Sequence, residues 1–143
     1  MTRCCMTSGA CPDDHRHLCD CRDLRDEAGA RDCALAIEKN LERRISAANF
    51  VEAALVIDRS RDPIACRRFD EFFKEANIAV EAVTLEQARL AREAYRDFGK
   101  GSGHLAKLNF GDCFAYALAK ATGEPLLFKG DDFVHTDIAP ALG

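Results

Sequence analysis

Two stretches in the last third of the chain are the most informative about its fold: LNFGDCFAYA at residues 108–117 and LLFKGDDF at residues 126–133. The first opens an apolar helix with a carboxylate, Asp112, near its start. The second is a short apolar strand, of the kind buried in parallel sheets, followed by Asp131 and Asp132. Because sites in parallel sheets gather at the carboxyl ends of strands, the pattern predicts that these carboxylates converge on one divalent-metal site. Such a site indicates metal-dependent phosphodiester chemistry.

Alternating helical and strand patterns precede these stretches. A short strand around residues 44–45 ends at Ser46, which is a suitable N-cap for the helix that follows. Helices are predicted over residues 26–40, 47–58, 63–76, 84–98 and 109–121, and strands over residues 78–83 and 126–128. In the second helix, four apolar side chains are expected to face inward: Phe50, Val51, Ala54 and Leu55. The alternation predicts a three-layer α/β/α sandwich around a central parallel sheet.

Composition limits the class of protein. The 143 residues and 48% hydrophobic content fit one domain with a single core. No apolar run approaches the roughly 20 residues of a membrane span, and no secretory signal is evident, so we expect a reduced, cytoplasmic protein. The net charge of −4 argues against a nucleic-acid binder that relies on bulk phosphate attraction. Local basic patches remain candidates, drawn from Arg43, Arg44, Arg59, Arg61, Arg67, Arg68, Lys100, Lys107 and Lys129.

The first 24 residues differ from the rest of the chain. Five of the eight cysteines fall within the first 21 residues, together with His15 and His17. Cysteine and histidine are the preferred ligands of zinc, so a zinc site is one hypothesis. The segment lacks paired C-x-x-C knuckles and has few apolar residues to fold around a metal. We therefore predict an aberrant, disordered segment at residues 1–24 and a folded domain at residues 25–143.

A coding-frame artefact is another hypothesis for this segment. Read from the second base of the Pro12 codon, residues 13–23 can be encoded so that the neighbouring frame spells Met-Ile-Ile-Asp-Thr-Ser-Ala-Ile-Val-Ala-Ile. That peptide has the apolar, β-branched character of a buried strand and leads into the predicted first helix. The gene sequence upstream of codon 25 decides the question.

Each candidate site residue also has a purely structural interpretation. Asp112 could serve only as a capping carboxylate at the positive end of its helix. Glu52, in the second helix, could extend to solvent, and Asp131 and Asp132 could form an ordinary turn. Cys113 could be a thiol nucleophile, but no histidine occupies an obvious base position, which favours a small buried residue.

Three motifs together resemble a known family. SAANFVEA at residues 46–53, the stretch 108–117, and the stretch 126–133 continuing through residues 136–138 closely resemble PIN-domain ribonucleases of the VapC toxin type. The resemblance covers roughly residues 25–142. It implies an α/β/α sandwich and Mg²⁺- or Mn²⁺-dependent endonucleolytic cleavage of RNA. It also implies inhibition by a cognate VapB-like antitoxin. We expect a homodimer as well. The phenylalanines of the third helix (Phe69, Phe72 and Phe73) could form either the dimer surface or part of the core.

The resemblance also implies the site. Glu52, Asp112 and Asp132 correspond to metal-site carboxylates, with Asp131 adjacent to them. Thr136 would order the loop, and Asn49 would be a polar neighbour of the metal. In this chemistry the metal activates a water molecule, so no nucleophilic side chain is needed.

The chain departs from the family at its start. The family begins with a buried strand that ends in Asp-Thr or Asp-Ser and supplies a principal metal ligand, and this strand is missing or disrupted here. The frame-shifted peptide contains Ile-Asp-Thr-Ser at the expected place. The alternative function is therefore a catalytically impaired module that only binds an antitoxin or dimerises.

Overall fold

The computed structural model describes residues 6–8, 43–128 and 130–141. The predicted helix at 26–40, the clustered histidines and the segment 13–23 lie outside the described residues. The strands are β1 (Met6–Ser8), β2 (Arg43–Ser46), β3 (Ile78–Glu81) and β4 (Leu126–Leu127). The α-helices are α1 (Ala47–Asp58), α2 (Pro63–Glu75), α3 (Leu85–Phe98) and α4 (Phe110–Thr122), and a 3₁₀ helix spans Phe133–His135.

The helix boundaries follow local capping signals. At α2, Pro63 occupies the first turn and the Asp62 side chain accepts a hydrogen bond from the Ile64 N–H at 2.9 Å. The Thr84 hydroxyl accepts from the Gln87 N–H at 3.1 Å at the start of α3. Gly123 ends α4 with a left-handed φ of 70°. The four helices predicted within the described residues are thus confirmed to within about two residues.

The sheet has the strand order β3-β2-β1-β4. β2 and β3 are parallel, whereas β1 is antiparallel to both β2 and β4. Three strands therefore share one direction and β1 opposes them. The predicted α/β fold is confirmed, with one difference: the central position where a first parallel strand was expected is occupied by Met6–Ser8. An unfilled gap there would leave backbone groups of both neighbouring strands without partners, and β1 supplies those partners. The predicted division after residue 24 stays a prediction.

Two hydrophobic clusters lie on opposite faces of the sheet. Leu126 belongs to the cluster with Leu108, Ala117 and Phe133, and the adjacent Leu127 belongs to the cluster with Ile45. Successive side chains of a strand point to opposite faces, so β4 contributes one leucine to each layer. This arrangement is the three-layer sandwich.

The inward face of α1 was predicted only in part. Phe50 and Ala54 are partly buried, but Val51 and Leu55 are 53% and 52% exposed. α1 is apolar around most of its circumference, so periodicity alone did not identify the face that packs. In α2, Phe69 and Phe73 join the core, and their neighbour Phe72 is 36% exposed.

In the described part of the chain, no helix is both long enough and apolar enough to cross a membrane.

Candidate functional site

Asp112 is fixed at the start of α4 by a reciprocal capping box. Its Oδ2 accepts a hydrogen bond from the Asn109 N–H at 2.9 Å, and Asn109 Oδ1 accepts one from the Asp112 N–H at 2.9 Å. Asp112 is only 1% exposed. The capping interpretation is therefore correct for Oδ2. It does not compete with a ligand role, because a carboxylate has a second oxygen with its own lone pairs.

Glu52 lies against the first turn of the same helix. A Cβ atom built on Gly111 would stand 2.0 Å from Glu52 Oε2 and 2.8 Å from its Cδ. The half-buried Glu52 carboxylate thus occupies the space that any side chain at position 111 would need. It sits at the positive end of the α4 dipole, next to the residue that precedes Asp112. Because position 111 is a glycine, Glu52 can lie against the residue next to Asp112, which is 60 positions later in the sequence.

Asn49 ties α1 to α4 at the same place. Its Nδ2 donates a hydrogen bond to the Gly111 carbonyl at 2.9 Å, and the side chain is 1% exposed. Ser46 precedes α1 in the N-cap position, but its side chain makes no capping hydrogen bond. Within the described residues, the buried Ser46 Oγ and Asn49 Oδ1 have no hydrogen-bond partner. Buried polar atoms without a hydrogen-bond partner are uncommon in folded proteins, and these two belong to the N-terminal turn of the helix that carries Glu52.

The acidic pair after β4 is held by the turn that follows it. Asp131 is exposed, and Asp132 is half-buried immediately before Phe133, which is 1% exposed and packs in the same cluster as Cys113. The Thr136 hydroxyl donates to the Phe133 carbonyl at 2.8 Å and accepts from the Ile138 N–H at 3.4 Å. Thr136 therefore closes the turn that anchors Asp132.

Comparison with known proteins identifies the family. The PIN domain family matches residues 22–139. The chain belongs to the PIN-domain family. The VapC ribonuclease Mb0625 of Mycobacterium bovis and ribonuclease VapC28 of Mycobacterium tuberculosis are each 55% identical to it over 119 residues, which are 83% of this chain and 90% of the relative. Ribonuclease VapC42 of M. tuberculosis is 51% identical over 115 residues, 80% of this chain and 88% of its own. This PIN domain is of the VapC type.

The PIN-domain site offers the type of ligand atom that a hard cation prefers, but too few such ligands are grouped together in the described part of the chain. Glu52 and Asp112 offer carboxylate oxygens, the ligands that Mg²⁺ and Mn²⁺ prefer. Among the described residues, however, no three His, Cys, Asp or Glu side chains form a group that could hold a metal ion. Asp132 therefore does not complete such a group with the other two. The central strand β1, Met-Thr-Ser, contains no carboxylate to complete it.

The Cys113 thiol is unsuited to nucleophilic attack. The side chain is 3% exposed, and burial, followed by the charge of Asp112, raises its pKa to about 12. Because the thiolate is the nucleophilic form, a protonated thiol at neutral pH is inert. Cys113 is a packing residue of the PIN domain.

Some contacts near the site were not predicted. Tyr116 Oη donates to Asp137 Oδ1 at 2.7 Å, and Lys120 also pairs with Asp137. These bonds lower the pKa of Asp137, Lys120 contributing most. The i, i+4 spacing of Tyr116 and Lys120 on α4 was the available signal.

Two of the basic-patch candidates have structural contacts instead. Arg44 approaches Glu81 at 3.3 Å and Glu124 at 3.5 Å, and Arg43 donates to the Ala76 carbonyl. Both side chains start from β2 and connect it to neighbouring elements, so they are not freely available to a phosphate.

Proposed function

We propose that this chain is an endoribonuclease, the toxin of a type II toxin–antitoxin pair, which hydrolyses RNA phosphodiester bonds with Mg²⁺ or Mn²⁺. The observation that supports it best is the contact of the Glu52 carboxylate with Gly111, beside the buried Asp112. This contact occurs in a chain whose 55%-identical relatives are named VapC ribonucleases. The proposal includes a VapB-like antitoxin, a homodimer and a cytoplasmic location.

Glu52 and Asp112 would hold the metal, and Asp132 and Asp131, on the turn after β4, are the other candidate ligands. When bound, the ion would activate a water molecule and neutralise charge on the phosphoryl oxygens. Hydrogen bonds within the chain fix the positions of the Glu52 and Asp112 carboxylates. The Asn109–Asp112 capping box fixes the orientation of Asp112. Asn49 holds α1 on α4, so that the position of Glu52 relative to Asp112 is set before any ligand arrives.

Cleavage of RNA by the purified chain in Mg²⁺ or Mn²⁺ tests this function. We expect Asp112→Asn and Glu52→Gln each to lower cleavage by at least about 100-fold, since outer-sphere changes alone can cost 10–100-fold. Both variants should also weaken Mn²⁺ binding in calorimetry. Glu75→Gln, which removes an exposed carboxylate from the end of α2, serves as the matched control. Full activity in Asp112→Asn would refute the metal-site assignment.

A second candidate function is a catalytically impaired module that binds an antitoxin or dimerises. Two observations favour it: the described residues contain no three-ligand group, and β1 carries no carboxylate into the centre of the sheet. This candidate predicts no Mn²⁺ binding heat and no cleavage, together with tight binding of a cognate antitoxin or a stable dimer. Mn²⁺ binding that depends on Glu52 and Asp112 would exclude it.

A further inference from the structure

The first residue of α4 exposes an aromatic ring beside the candidate site. Phe110 is 76% exposed, more than any other large apolar side chain in the described ranges. Its ring packs against Phe114 with centroids 4.9 Å apart and an interplanar angle of 74°. An edge-to-face pair covers at most one face of either ring, so the Phe110 ring is oriented by its neighbour and keeps a face open.

The position of Phe110 relates it directly to the carboxylates. Phe110 and Asp112 flank Gly111, against which the Glu52 carboxylate lies. Successive residues of an α-helix are rotated by about 100°, so Phe110 and Asp112 point to different sides, with Glu52 between them. A nucleotide strand whose phosphate met a cation held by Glu52 and Asp112 would pass the first turn of α4, which begins at Phe110.

Two lysines stand on the loop that leads to Phe110. Gly99 and Leu108 form a bridge, and the Lys100 N–H donates to the Leu108 carbonyl at 3.0 Å, so Lys100 and Lys107 lie at the base of this loop. Both are exposed, and in the described part of the chain neither forms a salt bridge. Lys107 has a left-handed φ of 47°, which is uncommon for a residue with a side chain. The loop thus presents two available cations near an open ring.

We infer that Phe110 is a platform on which an unpaired base of the RNA substrate stacks, with Lys107 and Lys100 contacting the adjoining phosphates. The inference rests on the proposed function and specifies how that site holds single-stranded RNA. A base stacks on an open ring face and the adjoining phosphates are met by cations, and Phe110 and the loop before it supply both kinds of group. The two exposed lysines on the loop before Phe110 favour a polyanionic strand over an apolar protein surface as the occupant. Because every base has a π face, the platform selects unpaired RNA without strong sequence preference.

Binding of a labelled single-stranded oligonucleotide in the presence of EDTA, where metal-dependent cleavage cannot occur, tests the platform. Phe110→Ala should weaken affinity by about 5- to 150-fold, the range expected for one stacked base. Phe110→Trp should retain affinity. Leu85→Ala is a matched control, since Leu85 is the first residue of α3 and is 68% exposed. It should leave affinity unchanged. Equal affinity of Phe110→Ala and the unmodified chain would overturn the inference.

The Phe110→Trp variant gives a second measurement. The chain contains no tryptophan, so the new residue is the only indole fluorophore. Its emission should be quenched by single-stranded RNA, and less by a duplex or by an RNA with an abasic residue at the stacking position. Fluorescence that does not respond to bound RNA would refute stacking.

A Phe110→Ala variant that changes from dimer to monomer with unaltered RNA affinity would assign Phe110 to a contact between copies.

The binding and cleavage experiments separate the two proposals. If the chain binds RNA through Phe110 but cleaves none in Mg²⁺ or Mn²⁺, the nuclease proposal fails and the platform stands. If it cleaves RNA and Phe110→Ala binds normally, the nuclease proposal stands and the platform fails.

Discussion

Gly111→Ala changes the distance between the two candidate metal ligands without removing either of them. The added Cβ would lie 2.0 Å from Glu52 Oε2 and 2.9 Å from Oε1, whereas ordinary contacts begin at 3.4 Å. The Glu52 carboxylate must therefore retreat by about 1.4 Å from the start of α4. A misplacement of about 1 Å in a catalytic site can cost about 100-fold in rate.

The expected effect on stability is small. Gly111 is the second residue of α4, where the preference of a helix for alanine over glycine is smaller than the roughly 1 kcal/mol found in a helix interior. Glu52 is only half-buried, so its flexible side chain can swing aside, and overpacking should cost no more than about 1–3 kcal/mol. The two effects oppose each other. A large loss of RNA cleavage with a nearly unchanged unfolding temperature would therefore show that the position of the Glu52 carboxylate matters.

The assay compares kcat/KM on RNA, Mn²⁺ affinity by calorimetry and thermal unfolding. Gly111→Ala should lower kcat/KM by about 100-fold and weaken Mn²⁺ binding. In the Glu52→Gln background it should weaken Mn²⁺ binding no further, because the two changes act through the same carboxylate. Unchanged kcat/KM and Mn²⁺ affinity in Gly111→Ala would refute the reasoning.

Three further predictions concern a buried hydrogen bond, a buried thiol and the segment 13–23. Asn49→Ala removes a buried 2.9 Å hydrogen bond to the Gly111 carbonyl and should lower the free energy of unfolding by about 1–3 kcal/mol in a urea titration; an unchanged midpoint would show that the bond contributes nothing. Folding raises the pKa of Cys113 from an ordinary 9.0 to about 12. The buried thiol therefore contributes fully to the free energy of unfolding below pH 9.0, and this contribution is lost as the pH rises towards 12. A Cys113→Ala variant should show less alkaline destabilisation in unfolding measured from pH 8 to 11 than the unmodified chain, and an equal loss would contradict the assignment. Replacing residues 13–23 by Met-Ile-Ile-Asp-Thr-Ser-Ala-Ile-Val-Ala-Ile should raise the unfolding temperature and Mn²⁺ affinity, because it exchanges a polar segment for an apolar strand whose single aspartate stands where the family resemblance expects a metal ligand. Calorimetry that detects neither gain would argue against a lost first strand.

Elements with local signals could be predicted from the sequence. α1 occupies the predicted residues 47–58, and Pro63, Asn109 and Gly123 mark helix ends as expected. Caps and stop signals act within a few residues, so they can be recognised without the fold. The three motifs likewise indicated the family, which the match over residues 22–139 shows.

How distant residues meet could be seen only in the folded chain. Only packing exposed Val51 and Leu55 on α1, because that helix is apolar on several faces. Only strand pairing placed Met6–Ser8 antiparallel at the centre of the sheet, since three residues carry too weak a pattern to specify a partner. The sequence named Glu52 and Asp112 as site residues, but the fit of the Glu52 carboxylate onto Gly111 depends on α1 crossing the start of α4. A contact across nearly 60 residues is set by the packing of whole elements, and no local pattern encodes it.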